Sequence, residues 1–157
     1  MKIIQSELNQ DECCTDDMSE IIARMIRVFQ LFERDQIKVH GFTTSQYYCL
    51  SALVQYGPLT MNELSRKVNL KTSTMTRVVD KLVRDAYIER LRDENDRRIV
   101  TVSLTEKGKQ DTMVVSDSVN QYYKRILNHL PKNKVDEVIE STNLLLDAFE
   151  NANPECC

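Results

Sequence analysis

Residues 93–108 read DENDRRIVTVSLTEKG, Asp93 to Gly108, and the rest of the chain is best understood outward from them. The stretch opens as a charged turn, Asp93-Glu94-Asn95-Asp96-Arg97-Arg98. From Ile99 it continues as a strand in which Val100, Val102 and Leu104 recur at every second residue, the period that places side chains on one face of a sheet. It closes on Leu104-Thr105-Glu106-Lys107-Gly108, where Thr105 is placed to cap a new helix. Upstream, Tyr87-Ile88-Glu89-Arg90-Leu91-Arg92 alternates in the same way and supplies the partner strand. Together they form a hairpin tipped with arginine.

The hairpin follows a pair of short helices. Thr60 caps the first, MNELSRKVN. Asn69-Leu70-Lys71 leads to the second, with Thr72 or Ser73 near its cap and Met75, Val78, Val79, Leu82 and Val83 on its apolar face. Further upstream, Thr43 or Thr44 starts SQYYCLSALVQYG, a helix that Gly57-Pro58 stops. Residues 1–15 read as a weakly specified lead-in. From Thr15 a long helix carries Met18, Ile21, Ile22, Met25, Ile26, Phe29 and Phe32 on one face and ends before Gly41. Its Asp16-Asp17 pair suits the positive end of the helix dipole.

Downstream, a helix from Thr105 to about Leu130 has apolar Met113, Val114, Tyr122, Tyr123, Ile126, Leu127 and Leu130. Pro131 breaks it. A last helix from Lys132 to about Asn151 places Val135, Val138, Ile139, Leu145, Leu146 and Phe149 on its core face. The expected fold class is mostly α with a small two-stranded wing: a winged helix-turn-helix flanked by long N- and C-terminal dimerisation helices. Residues 1–42 form the N-terminal dimerisation helix and 43–108 the winged module. Residues 109–157 form the C-terminal dimerisation helices, all within one intertwined domain. The terminal helices carry more apolar surface than the central module can cover, and a symmetric homodimer covers it economically.

Composition agrees. The chain has 157 residues, 41% hydrophobic and 29% charged, with 3 Gly and 3 Pro, as in a helix-rich globular protein. It contains no apolar run of the roughly 18–20 residues needed to span a bilayer. The N-terminal stretch turns acidic instead of forming a secretory signal, so the expected location is cytoplasmic. The net charge is −3, unevenly spread. Residues 60–110 hold 12 Lys/Arg against 8 Asp/Glu, whereas 1–59 hold 5 against 8 and 111–157 hold 4 against 8. A basic middle between acidic ends can meet a phosphate backbone while the ends do another task. No Cys-x-x-Cys pair, Gly-rich phosphate loop or nucleophile–base arrangement points to an enzyme, and no cofactor is expected.

In a helix-turn-helix the second helix enters the major groove with the face its core does not use. Here that face offers Thr72, Ser73, Thr74, Thr76, Arg77 and Lys81. Small hydroxyl residues allow close approach, and Arg77 can reach a guanine edge or a phosphate. At the wing, Arg98 is the candidate for a narrow minor groove, where negative potential is concentrated. Asp96 can accept its hydrogen bonds and hold it extended, while Arg97 faces phosphate. The implied partner is double-stranded DNA.

The segments TTSQYYCLSAL and STMTRVVDKLVRDAYIERLRDENDRRIVTVSLTEKG, with the order of elements, resemble the MarR family of winged-helix regulators over about residues 18–150. The most specific match is Asp96-Arg97-Arg98 followed by a strand and Leu104-Thr105-Glu106-Lys107-Gly108. The resemblance implies a homodimer joined through both chain ends and a palindromic operator. It also implies release of repression by a small phenolic compound, an oxidant or a metal. It further implies an effector crevice between dimerisation helices and winged module, which Met25, Phe29, Tyr47 and Tyr48 would line.

The five cysteines fall at Cys13, Cys14, Cys49, Cys156 and Cys157. Glu12-Cys13-Cys14 near one end is echoed by Glu155-Cys156-Cys157 at the other. If both ends join the dimer interface, the pairs could form a thiol-based redox or soft-metal sensor of the same fold. Functionless thiols on mobile tails are the competing explanation, because adjacent cysteines lack chelate spacing. Cys49 sits among apolar residues and is expected in the core. His40 and His129 are read as structural or surface residues.

Overall fold

A computed structural model describes residues 4–92 and 100–152; for residues 4–14, 32 and 33 it describes the backbone alone. The order is α1 (Ile4–Lys38), α2 (Thr44–Tyr56), β1 (Leu59–Thr60), α3 (Met61–Lys67), α4 (Thr72–Arg84), β2 (Ile88–Arg92), β3 (Val100–Leu104) and α5 (Glu106–His129). A 3-10 turn (Lys132–Lys134) and α6 (Val135–Ala152) complete it. Residues 1–35 form one compact unit and 36–157 another. Among the described residues, no helix is long and apolar enough to cross a membrane.

Three boundaries depart from expectation. Helix α1 begins at Ile4, not Thr15, because the stretch before Thr15 contains no Gly or Pro to stop a helix. The wing strands β2 and β3 pair antiparallel as expected, but β1 adds a third strand on the far edge of β3. Leu59 lies opposite Val102 and Thr60 opposite Thr101. A two-residue strand is too short to carry a readable alternation. After Pro131, the last helix starts with a 3-10 turn before α6 proper.

The helix starts are set by side chains. Thr43 accepts from the Gln46 amide, and the Gln46 side chain accepts in return from the Thr43 amide, 2.9 Å away. Thr60 and Glu63 form the same reciprocal box at α3. Glu63 accepts from both the hydroxyl (2.7 Å) and the amide (2.9 Å) of Thr60, which lowers its pKa. Helix α4 begins at Thr72, one of the two residues expected near its cap. Its cap position is Lys71, with no side-chain hydrogen bond.

The helix ends are set by left-handed residues. At the turn of the helix pair, Asn69 has φ 52°, its amide donates to Arg66 O, and the Leu70 amide donates to Ser65 O. At the end of α4, Ala86 takes φ 60°, with its amide on Val83 O and the Tyr87 amide on Leu82 O. Both are Schellman closures. Asparagine tolerates this conformation; alanine is strained in it.

The core of the larger unit gathers Leu50, Leu53, Leu64, Met75, Val79, Leu82, Ile88, Val102, Val115 and Val119, with Ile37 and Phe42 from the segment leading into α2. Phe42 meets Tyr87 edge-on, ring centroids 4.9 Å apart. On α5 the buried positions are Gly108, Thr112, Val115, Val119 and Tyr122. Met113 and Val114 are exposed, so α5 presents a different face to the core from the one its most apolar residues suggested. The expected core face of α6 faces solvent in the single chain: Val138, Ile139, Leu146 and Phe149 are exposed.

The first turn of α5 locks the base of the wing. The Thr105 amide donates to Tyr87 O, its hydroxyl donates to Ala86 O at 2.8 Å, and that hydroxyl accepts from the Gly108 amide at 3.0 Å. Lys107 reaches Asp85 O at 3.0 Å with its ammonium 4.0 Å from the Tyr87 ring centre. Gly108 packs so closely that an added Cβ would overlap the Tyr87 carbonyl.

Opposite effects on stability are therefore expected at two small residues. Gly108→Ala should lower stability by about 1–3 kcal/mol, the usual penalty for overpacking. Ala86→Gly should raise it by about 0.5–1 kcal/mol by relieving the left-handed strain. Urea unfolding midpoints of the two variants against the parent chain check both.

Candidate nucleic-acid interface

Helix α4 has a sharply divided surface. Met75, Val79 and Leu82 are buried. At about 100° per residue, Ser73, Arg77, Asp80 and Arg84 fall on the opposite line. All six residues expected to face nucleic acid from this helix, Thr72, Ser73, Thr74, Thr76, Arg77 and Lys81, are exposed. The Thr76 hydroxyl donates to Thr72 O at 2.9 Å, so its methyl group and oxygen are held in one orientation.

The charges on this face are organised. Lys81 pairs with Asp85 at 3.2 Å, and Arg84 lies 3.9 Å from the same carboxylate. Asp80 pairs with Arg90 of β2. Arg77 has no hydrogen-bond or ion-pair partner among the described residues, which leaves its guanidinium available to a ligand. Arg84 was not singled out from the sequence, although the signal was present: it repeats Arg77 two helical turns on. The Asp80–Arg90 pair had no local signal, since it forms across the turn between α4 and β2.

Asp96, Arg97 and Arg98 lie outside the described residues. The strands that carry them are described up to Arg92 and from Val100, which face each other in register. Cys156 and Cys157 also lie outside the described residues, as do the side chains of Cys13 and Cys14. Among the described residues, no group of His, Cys, Asp and Glu is arranged to hold a metal ion. His129 is exposed at the end of α5, its Nδ1 2.7 Å from Arg125 O.

The residues expected around an effector belong to two different compact units. Tyr47 is a core residue, 8% exposed, and its hydroxyl lies 3.3 Å from the Ser116 hydroxyl, joining α2 to α5. Tyr48 is exposed, and with Ser51, Ala52, Gln55, Tyr56 and Lys67 it lines a hollow of about 280 Å³. Met25 and Phe29 belong to the unit of residues 1–35, where Met25 is half-buried and Phe29 exposed.

Comparison with known proteins meets this geometry. The model of the MarR family matches residues 42–100, the region holding α2 to the start of β3. The uncharacterized HTH-type transcriptional regulator YfiV of Bacillus subtilis is 30% identical over 110 residues, 70% of this chain and 69% of YfiV. The chain belongs to the MarR family. SarZ of Staphylococcus epidermidis, an HTH-type transcriptional regulator, is 36% identical over 83 residues, 53% of this chain. That match spans only 56% of SarZ, little more than half its length. The fold extends further: a MarR family protein from Bacillus stearothermophilus superimposes with a TM-score of 0.78 at 23% identity, covering 88% of this chain and 96% of that one. In this MarR-family chain, Leu-Thr-x-x-Gly is the clasp at the foot of the wing, with Thr105 as the cap and Gly108 as the point of closest approach.

Cys49 is inert in this setting. It is wholly buried on α2, and burial pushes its thiol up to about 12. Raising a thiol from about 9 to about 12 cuts its thiolate fraction near neutral pH about a thousandfold. With the other four cysteines replaced by serine, Cys49 should resist iodoacetamide at pH 7.5 in the folded protein. Modification should follow unfolding as urea is raised, as read by mass spectrometry.

Proposed function

We propose that this chain is a DNA-binding transcriptional regulator that acts as a homodimeric repressor on a palindromic operator. The observation that carries the reading is the outer face of α4. It presents Thr72, Ser73, Thr74, Thr76 and Lys81 to solvent around Arg77, which has no ion-pair partner among the described residues, next to a hairpin anchored at its foot. The uncapped start of α4 supports it: backbone N–H groups of the first turn have no side-chain acceptor from Lys71, and such an end favours phosphate. In this reading α4 enters the major groove, Arg98 enters the adjacent minor groove steadied by Asp96, and Arg97 meets the backbone.

The homodimer is supported by apolar surface left uncovered in one chain. Ile21, Ile26 and Phe29 on α1, and Ile139, Leu144 and Leu146 on α6, are each close to half exposed or more. Residues 1–42 and 109–157 supply the dimer contacts in this reading, and 43–108 the DNA contacts. Occupying an operator suffices for repression, and such a protein works in the cytoplasm, where the DNA is. A signal releases it by favouring a spacing of the two recognition helices other than the 34–36 Å of successive major grooves. Tyr48 and Phe29 are the exposed aromatics of the expected effector set, whereas the Tyr47 hydroxyl lies against Ser116.

Selection from random duplexes should recover a palindrome, with affinity falling steeply as salt rises. Arg77→Ala should weaken operator binding by about 1–3 kcal/mol and relax preference at one base pair per half-site. Arg98→Ala should weaken it while leaving the dimer intact. Unchanged affinity in both variants would sink the reading. Independently, Leu144→Glu with Leu146→Glu should shift the sedimentation coefficient to that of a monomer and abolish tight operator binding.

A further inference from the structure

Strand β2 leaves the core abruptly. Ile88 is buried, and the four residues that follow are all exposed. Beyond Ile88, β2 therefore buries no side chain of its own and is held through its ladder to β3, where Val102 is buried. Arg90 occupies the same side of the strand as Ile88, since side chains alternate, and lies opposite Val102, which is fully buried. It thus stands where the inner face of the sheet emerges into solvent. From there its guanidinium reaches across to the Asp80 carboxylate on the outer line of α4.

The other ion pairs of α4 stay within the helix and its cap. Asp80–Arg90 is the pair that joins helix to sheet among the described residues. With side chains 55% and 44% exposed, it contributes little to folding stability. Its geometry is another matter, because it spans the two elements that would read the two grooves.

We propose that Asp80 and Arg90 are positioning residues: their pair sets the direction of the wing relative to α4, so that major-groove and minor-groove readout occur in one register. The inference rests on the DNA-binding reading above. It assigns the pair to specificity, not to attraction for phosphate. Loss of either partner leaves the wing held only by the β3 ladder and the clasp at its foot, without its direct tie to α4, and the complex with the correct sequence loses more than a complex held only by backbone charge.

The test is a double-mutant cycle with the full-length protein, using the selected palindromic duplex and a scrambled duplex of equal length. Asp80→Asn and Arg90→Gln should each lower the ratio of palindrome to scrambled affinity about three- to fivefold, the scale of an exposed pair. The double variant should be no worse than either single one. Urea midpoints and the dependence of log affinity on log salt should match the parent. Additive losses would overturn the proposal. So would a salt slope smaller by about one in Arg90→Gln, which marks a direct phosphate contact, or tighter binding by Asp80→Asn, which marks simple repulsion. If the parent binds no duplex, the DNA-binding reading fails and this proposal with it. If the parent binds and the cycle is additive, only the positioning role fails.

Discussion

The arrangement of the larger unit depends on the seating of α5 against the end of α4. Thr105 bonds with both its amide and its hydroxyl to carbonyls of the Ala86-Tyr87 turn, and its hydroxyl also caps the helix it begins. Gly108 permits the approach, because any side chain there would occupy the place of the Tyr87 carbonyl. One threonine and one glycine thus tie together both feet of the hairpin and the start of the longest helix in that unit. The left-handed Ala86 is held by the same contacts, so its strain is borne where the structure determines the backbone most strongly.

That clasp has consequences for charge. With β2 and β3 anchored at the foot, α4 lies beside the strand that emerges from the core. The carboxylates of Asp80 and Asp85 are both met by cations, Arg90 in one case and Lys81 with Arg84 in the other. A face that would otherwise carry bare negative charge is thereby neutralised, and Arg77 at its centre has no ion-pair partner among the described residues. The modest net charge of the chain is compatible with a locally positive surface because the central residues 60–110 hold more Lys and Arg than Asp and Glu, while the acidic excess sits in the terminal segments.

The terminal helices show the opposite economy. Helix α6 has no buried residue in the single chain, and the described apolar positions of α1 before Ile37 lie half-buried or exposed. Each long helix has a coherent apolar face whose burial the fold of one chain does not complete. Hydrophobic surface of this kind is stabilised by removal from water, at roughly 25 cal/mol per Å², which gives the proposed dimer its driving force. In the proposed dimer, coupling to DNA follows from two-fold geometry, since whatever changes the packing of these faces changes the spacing of its two α4 helices.

Local order was legible in the sequence because its causes are local. Thr43 with Gln46, Thr60 with Glu63 and Thr105 with Gly108 mark helix starts by bonds three residues long, and the alternation from Val100 to Leu104 marks a strand by its period. The Leu-Thr-x-x-Gly signature could be recognised in the same way, though not the Tyr87 carbonyl that explains its glycine. What only the tertiary structure decided depends on distance across the fold. The pairing of β1 with β3, the choice of Thr112, Val115 and Val119 as the buried face of α5, and the Asp80–Arg90 bridge are of this kind. A pattern of apolar residues says which side of a helix avoids water; which neighbour removes it from water is settled only when the elements pack.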